Sequence, residues 1–569
     1  MSNFSQQHIA IIDVGSTTTK ALLFTNTNGS LRLTDRGEAP TTVEEPTEDV
    51  LVGVAQAVHI LERRTGLNLS SGNAQNWQPL TSEFLATSSA GGGLLMVVCG
   101  NVMGITGLTA RKAALGAGAV LLDVFATDDG RHHFHRLEQL RTLRPDMILL
   151  SGGVEGARNL QFVTEMCDFI RAAKPRSKFS VSNKLPIVYS GASSAVAIVE
   201  DLLGDDFHVV VAENLRPTFQ NENITPTRDA IHDLFINHVM AHAPGYDKLQ
   251  ALTTAELMPT PSAVGEILNS FAKNRSSNIL CIDIGGATTD VFSFVKGNYV
   301  RTVSANYGMS YSIGNVATIC GWENIYRWLP KGISAKYIQK SIGTKMINPT
   351  MLPAHVDDLT IEQAIAREAI RLAYSDHLEV AKTHKPRAFF INELPLPKPQ
   401  PISMGDIDIV IGSGGVLSNA PLRGQAAAIL IDALQPLGVT ELFVDSVFML
   451  SHLGMLASRS EVQALSILEK DCLVPLGTSL NPIRSSITKS SELHVAGWTT
   501  TRRRIIGSAK AGDLTHIPLA ADEQAEITIS AKRCHWVAPS RVEVRGGTCG
   551  LILDMRSSIT GGDNRLFSE

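Results

Sequence analysis

Two short stretches of this 569-residue chain have the residue types and spacing needed to hold a polyphosphate. The first runs Ile12-Asp13-Val14-Gly15-Ser16-Thr17-Thr18-Thr19-Lys20, and the second runs Ile282-Asp283-Ile284-Gly285-Gly286-Ala287-Thr288-Thr289-Asp290. In each, an apolar run ends in an aspartate, a glycine follows two residues later, and threonines close the turn. Glycine lets backbone N–H groups approach phosphate oxygens with no Cβ in the way. An aspartate at a strand end can hold hydrated Mg²⁺, an ion that keeps several waters and is tied down by one or two carboxylates plus phosphates. Asp13 and Asp283 are the expected magnesium tethers, acting through water. Gly15, Ser16, Thr17 and Thr18 are expected to meet phosphate from one side, and Gly285, Gly286, Ala287, Thr288 and Thr289 from the other. Asp290 is placed to orient water or metal, and Lys20 to face either the phosphates or solvent.

Either stretch alone could be a tight β-turn capped by aspartate. The two agree at a fixed offset without a gap, however: Ile12, Asp13, Gly15, Thr18, Thr19 and Phe24 match Ile282, Asp283, Gly285, Thr288, Thr289 and Phe294. That agreement marks an internal duplication, and twin phosphate loops facing one cleft point to a nucleotide. A third run, Gly412-Ser413-Gly414-Gly415-Val416-Leu417-Ser418, follows an apolar strand and precedes a helix. Bare backbone at Gly412, Gly414 and Gly415 suits contact with adenosine, although a close strand-to-helix turn needs glycine for packing alone. No aspartate or glutamate stands out as a general base, so the catalytic residue is left unassigned.

The elements that must position these loops are read from periodicity. Ile9 to Val14 and Ala21 to Thr25 are β-branched apolar runs followed by Asn28-Gly29, a hairpin signal. Ile279 to Val295 repeats the pattern and closes at Lys296-Gly297-Asn298. Helical spacing spans Glu48 to Arg64, Arg228 to His242, Ser262 to Lys273, Ile361 to Ala381 and Ala426 to Leu434. Between Phe84 and Asn214 apolar strands alternate with glycine- or serine-rich turns, as around a parallel sheet. Four prolines in Leu394 to Pro401 demand an irregular connection. After Thr478, short alternating segments predict β structure. The expected division is 1–83 for a first lobe, 84–215 for an inserted open α/β domain, 216–480 for a second lobe and 481–569 for a small C-terminal β domain.

Net charge is −5, with 18% charged residues in no long block of one sign, which argues against nucleic acid as a partner. The seven cysteines form no C-x-x-C pair, which argues against a metal or iron-sulfur site. No apolar run reaches the roughly 18 residues of a membrane span, and no leader pattern opens the chain, so a cytoplasmic location is expected. His132, His133 and His135 read as a solvated loop, Arg502 to Arg504 as a solvated edge or a contact for an acidic partner, and Trp322 and Trp328 as core anchors. The glycine turns at Gly91 to Gly93 and Gly152-Gly153 read as ordinary strand-to-helix turns.

The order of phosphate loop, phosphate loop and adenosine loop resembles the actin, sugar-kinase and heat-shock-chaperone superfamily. More narrowly, the chain resembles the MutL/GlmL family of accessory proteins to adenosylcobalamin-dependent mutases, named for glutamate mutase. The resemblance rests on the two phosphate strings and Gly412 to Ser418, together with Ser88-Ser89-Ala90-Gly91-Gly92 and Arg111-Lys112-Ala113-Ala114-Leu115-Gly116-Ala117-Gly118. It implies a duplicated actin-like (ribonuclease H-like) α/β ATPase fold, ATP and Mg as cofactors, and mutase subunits as partners. By similarity to diol dehydratase reactivases it also implies a reactivating chaperone that hydrolyses ATP slowly. Alternatives on the same fold are a small-molecule kinase and a nucleotide-dependent scaffold.

Overall fold

The computed structural model describes residues 8–557 except 16–17, 28, 44–45, 73–76, 90–93, 118, 158, 178–183, 236–243, 287, 305, 311, 350 and 384–401. Two sheets within it share one topology. In the first, His8–Val14, Thr18–Thr27 and Ser30–Pro40 form an antiparallel meander. Glu83–Ser88 then lies parallel to His8–Val14, with Met258–Pro259 parallel outside it. In the second, Ile279–Ile284, Thr289–Val295 and Asn298–Ser304 make the meander, and Ile409–Ser413 and Gly438–Asp445 add in parallel. The strand order is therefore third, second, first, fourth, fifth in both sheets. Even the register repeats, since Asp13 stands opposite Lys20 and Asp283 opposite Asp290. The duplication seen in sequence is a duplication of fold, and the molecule is an α/β protein of the expected actin-like kind.

Each meander is followed by a helix that covers its sheet. Val50–Thr65 presents Val50, Val54, Ala57, Val58 and Leu61 to the first sheet, a spacing that puts them on one face. Its ends are set locally: Asp49 accepts the Leu51 N–H, and Gly66 closes the other end in the left-handed region. The counterpart, Val356–Thr383, buries Ile361, Ile365, Ala369 and Ala373 in the largest core. A second pair of helices, Thr260–Arg275 and Leu450–Ala457, follows the fifth strands and crosses between the lobes. Around the crossing, Ile9, Ile11 and Phe24 of the first lobe share one core with Cys281, Phe292 and Ile411 of the second. The crossing is tight enough that a Cβ on Gly454 would stand 1.7 Å from the Ala263 carbonyl oxygen.

The insert is an open parallel sheet ordered His208–Val211, Pro186–Tyr189, Met147–Ser151, Leu94–Gly100, Ala119–Ala126. Its edges differ from the expected ones. Glu83–Ser88 belongs to the first lobe, and that lobe is completed only by Met258–Pro259 and the helix after it, so the insert separates the fourth strand from the fifth. The C-terminal region differs too. Four antiparallel strands, ordered Arg504–Lys510, Glu492–Thr499, Gln524–Lys532 and Arg541–Arg545, form their own sheet. Leu514–Ile517 and Leu551–Asp554 instead extend the second lobe's sheet beyond Leu473–Asn481. Parallel and returning strands pair over long separations that no local pattern encodes, which is why these memberships escape the sequence.

His132 caps the helix His133–Leu143 and His133 and His135 lie within it, exposed as expected but not in a loop. The helix expected to reach His242 is observed over Ile224–Leu234, and residues 236–242 of that span, like Leu394 to Pro401 and Gly91 to Gly93, lie outside the described residues. Among the described residues no helix is long and apolar enough to cross a membrane.

Candidate functional site

Each hairpin turn closes with the same bond. The Gly15 N–H donates to the Thr18 carbonyl at 3.1 Å, and the Gly285 N–H to the Thr288 carbonyl at 2.8 Å. Glycine is required at the first turn, where a Cβ on Gly15 would stand 2.7 Å from the Thr18 carbonyl oxygen, and a Cβ on Gly285 would be a tight 3.2 Å from that of Thr288. The opposite side of each turn is fixed to the protein. Thr41 Oγ1 donates to the Gly15 carbonyl at 2.7 Å. The Met309 and Ser310 N–H groups donate to the Gly285 and Gly286 carbonyls at 2.9 and 2.8 Å, and Thr289 Oγ1 donates to the Tyr307 carbonyl at 2.6 Å. Two turns of one construction are thus tied down at Gly15 and at Gly285-Gly286, at the same ends of their sheets.

The aspartates sit where strand ends meet helix starts. Asp13 is 7% exposed. Its Oδ1 accepts from Thr87 Oγ1 at 2.8 Å and from Thr260 Oγ1 at 2.6 Å, one on the neighbouring parallel strand and one at the start of an interlobe helix. Asp283 has the matching neighbour: Ser413 stands opposite it as Thr87 stands opposite Asp13. Burial pushes the Asp283 carboxyl up to about 6, with Lys20 opposing the rise and Asp445 and Asp13 adding to it. The charges of the two hairpins therefore act on each other. Lys20 itself lies 4.4 Å from the Phe448 ring centroid, so it faces neither open solvent nor phosphate alone but leans toward the second lobe.

Asp290 is 8% exposed and its Oδ1 makes no hydrogen bond. Burial pushes it up to about 7, against the pull of Arg301. Asp445 ends the fifth strand of the second lobe, and its carboxylate accepts the N–H groups of Val447, Met449 and Leu450 at 3.1, 3.0 and 3.4 Å, capping the start of Leu450–Ala457. On that helix the fully buried His452 is pulled down to about 4 by its burial, is held neutral, and feels both Asp13 and Lys20. Its Nε2 has no hydrogen-bond partner.

The third loop is built differently from expectation. Gly414 lies at φ 101°, and a Cβ there would stand 2.1 Å from the Ile284 carbonyl oxygen; a Cβ on Gly412 would stand 2.9 Å from Leu417 Cδ1. Close packing already accounts for both glycines, Gly414 against the second phosphate hairpin and Gly412 against Leu417 and Leu430 of the helices that follow. Gly415 alone has open space on its Cβ side, and it starts the short helix Gly415–Ser418. Ser16, Thr17 and Ala287 lie outside the described residues.

The structure thus sets Asp13 and Lys20 within electrostatic reach of Asp283, with Asp290 opposite Asp283 and Gly414 against Ile284, and adds Thr87, Thr260, Asp445 and His452, which the sequence reading did not single out. One signal was available for Thr87: the run from Ser88 follows its strand as Gly414-Gly415 follows Ser413, so the duplication reaches the fourth strands as well. Among the described residues no three His, Cys, Asp or Glu side chains gather closely enough to ligate a metal directly. A separate cavity of about 440 Å³ lies between the insert and the second lobe, lined by Arg111, Asp123 and Arg131 on one side and Asn306, Tyr307 and Asp376 on the other.

A family model described as "MutL protein" matches residues 9–472. Protein MutL of Clostridium tetanomorphum is 27% identical over 490 residues, a match covering 81% of this chain and 98% of the relative. Among solved structures, a diol dehydratase-reactivating factor in nucleotide-free form is 11% identical, covering 80% of this chain and 99% of that one at a TM-score of 0.31. Component A of (R)-2-hydroxyglutaryl-CoA dehydratase from Acidaminococcus fermentans is 10% identical, covering 81% and 99%, at 0.29. At those scores neither structure bears on function.

Proposed function

The chain belongs to the MutL protein family, and from that premise we propose that it is an accessory protein that binds Mg-ATP between its lobes and remodels an adenosylcobalamin-dependent mutase. The observation that carries the nucleotide half is the pair of equivalent hairpins whose charged residues, Lys20 and Asp13 of one and Asp283 of the other, act on each other. The residues fit a magnesium-bound polyphosphate. Asp283 and Asp290 crowd buried negative charge that a cation would relieve, and Asp290 Oδ1 is left without a partner. Bound magnesium would offset phosphate charge while keeping most of its waters, which agrees with carboxylates too dispersed for a direct cage.

In this reading Asp13 and Asp283 would hold metal-bound water, the backbone N–H groups between Gly15 and Thr18 and between Gly285 and Thr288 would grip phosphate from two walls while the Gly15 and Gly285 N–H groups close the turns, and Asp290 would position a water. Gly415 offers its open backbone toward adenosine. Because the grip spans both lobes, nucleotide favours the closed arrangement only by its difference in affinity between closed and open forms, about 1.4 kcal/mol for each tenfold shift in population. That difference is what the mutase would feel.

Titration calorimetry tests the site. Asp13→Ala and Asp283→Ala are each expected to weaken Mg-ATP binding tenfold or more while circular dichroism stays unchanged. Wild-type affinity in both would remove the assignment. The client half is tested by whether the protein with ATP restores activity to an inactivated cobalamin mutase; no recovery with any mutase of the native cell ends it.

A further inference from the structure

The family match spans residues 9–472, and the four-stranded C-terminal sheet lies beyond the matched residues. One face of the sheet is accounted for. Leu493, Val495, Ile505, Ile527, Ile529 and Val544 point inward and pack on Leu480, Leu551 and Leu553 of the second lobe. The outward face carries Trp498, 57% exposed, and Ile506, 59% exposed, on neighbouring strands. Two large apolar side chains held on a rigid sheet in water are the kind of anchors on which binding free energy concentrates.

The charge around them is mixed, with Glu526 opposite Trp498 on one neighbouring strand and arginines on the other side. Arg504 stands directly opposite Trp498, and Arg502 lies in the turn that joins their strands. Neighbouring charges are already paired, Arg503 with Glu523 and Arg541 with Glu526, whereas Arg502 and Arg504 are exposed and have no ion-pair partner among the described residues. The strand that carries Arg504 and Ile506 is also the free edge of its sheet.

Charge selects the occupant. A twofold contact centred on Trp498 and Arg504 would bring the unpaired Arg502 and Arg504 of one copy close to those of the other, which disfavours self-association centred there. Glu492, Glu526 and Glu543 are interspersed on the same face, which disfavours a continuous polyanion such as nucleic acid or an anionic lipid surface. We propose that the outward face centred on Trp498, Ile506 and Arg504 docks a partner protein through a surface that combines acidic and apolar residues, and that this partner is the mutase client. The identity of the partner rests on the function proposed above.

The test immobilises each adenosylcobalamin-dependent mutase of the native cell in its holo form and measures binding of the full-length chain, of Trp498→Ala/Ile506→Ser and of Arg504→Glu. Neither variant touches the hairpins, so Mg-ATP affinity and melting temperature serve as controls. The expected result is a tenfold or greater loss of mutase binding in both variants with the controls unchanged, together with weaker wild-type binding as salt rises. Equal binding by wild type and variants overturns this assignment while leaving the accessory role intact. Failure of the wild type to bind any mutase removes both. A wild-type dimer that the variants convert to monomer, seen by light scattering, shows that a second copy occupies the face and also overturns the proposal.

Discussion

Asp290 shows how a single side chain ties the site to pH. Its folded value, about 7, lies above the ordinary 3.8, so between those limits the native chain holds a proton that the unfolded chain releases. Stability must then fall as pH rises from about 4 to about 7, the reverse of a salt-bridged carboxylate. Asp290→Asn removes that fall. In nucleotide-free urea denaturation the variant should match wild type near pH 4 and exceed it by up to about 4 kcal/mol at pH 8, because each tenfold difference in proton affinity between the folded and unfolded chain is worth about 1.4 kcal/mol. Asp283 acts with the same sign and His452 with the opposite one, so the difference between wild type and variant, rather than either curve alone, isolates Asp290. An identical pH dependence in both proteins would show that Asp290 is not protonated in the folded state. At this scale the sequence displayed Asp13, Asp283 and Asp290, because each sits in a repeated string. Thr87 is marked only by the serine- and glycine-rich run that follows its strand, and Thr260, Asp445 and His452 carry no such mark, since each acquires its partners only through the fold.

Among the elements, the hairpins were readable because their strands are adjacent in the chain and their turns use glycine. The crossing helices were readable as helices but not as a crossing, because what lets them meet is the absence of one side chain at Gly454. An alanine there would press its Cβ 1.7 Å from the Ala263 carbonyl oxygen, and backbone cannot move aside as a flexible side chain can. Gly454→Ala is therefore expected to cost about 1–3 kcal/mol or more, read as a lower melting temperature. It should also weaken Mg-ATP binding, since the pair carries Thr260 on one helix and His452 on the other. Gly343 provides the contrast. It lies in the helix Ala335–Ile347 with nothing within 4 Å of its Cβ position, so Gly343→Ala should stabilise by about 0.4–1 kcal/mol through the lower entropy of the unfolded chain. A neutral Gly454→Ala would mean that the lobes meet less closely than this crossing implies.

At the scale of the whole molecule, the alternating strands after Thr478 invite division into a second lobe and a separate C-terminal domain, with a cut near residue 481. The sheet order opposes that cut. Leu551–Asp554 lies parallel to Leu473–Asn481, and Leu514–Ile517 lies beyond it, so ending the chain at Asn481 would strip two strands from the second lobe and leave a long edge unpaired. It would also uncover Leu480, which is fully buried, and remove Ile552 from the largest core. Charge compounds the loss. Arg556 reaches Asp432 at 2.9 Å, and Asp432 also binds the buried Arg367 at 2.7 Å; without Arg556 the Asp432 carboxylate stays buried with one partner fewer, a costly state for an ion. A chain ending at Asn481 is therefore expected to be largely insoluble when expressed, or, if recovered, to melt well below wild type and to bind Mg-ATP poorly, although every hairpin residue is retained. Calorimetry and nucleotide titration of the truncated chain decide the point. A soluble product with wild-type melting temperature and affinity would show that the second lobe is complete without its returning strands, and that the C-terminal sheet is an appendage rather than part of the machine that closes on nucleotide.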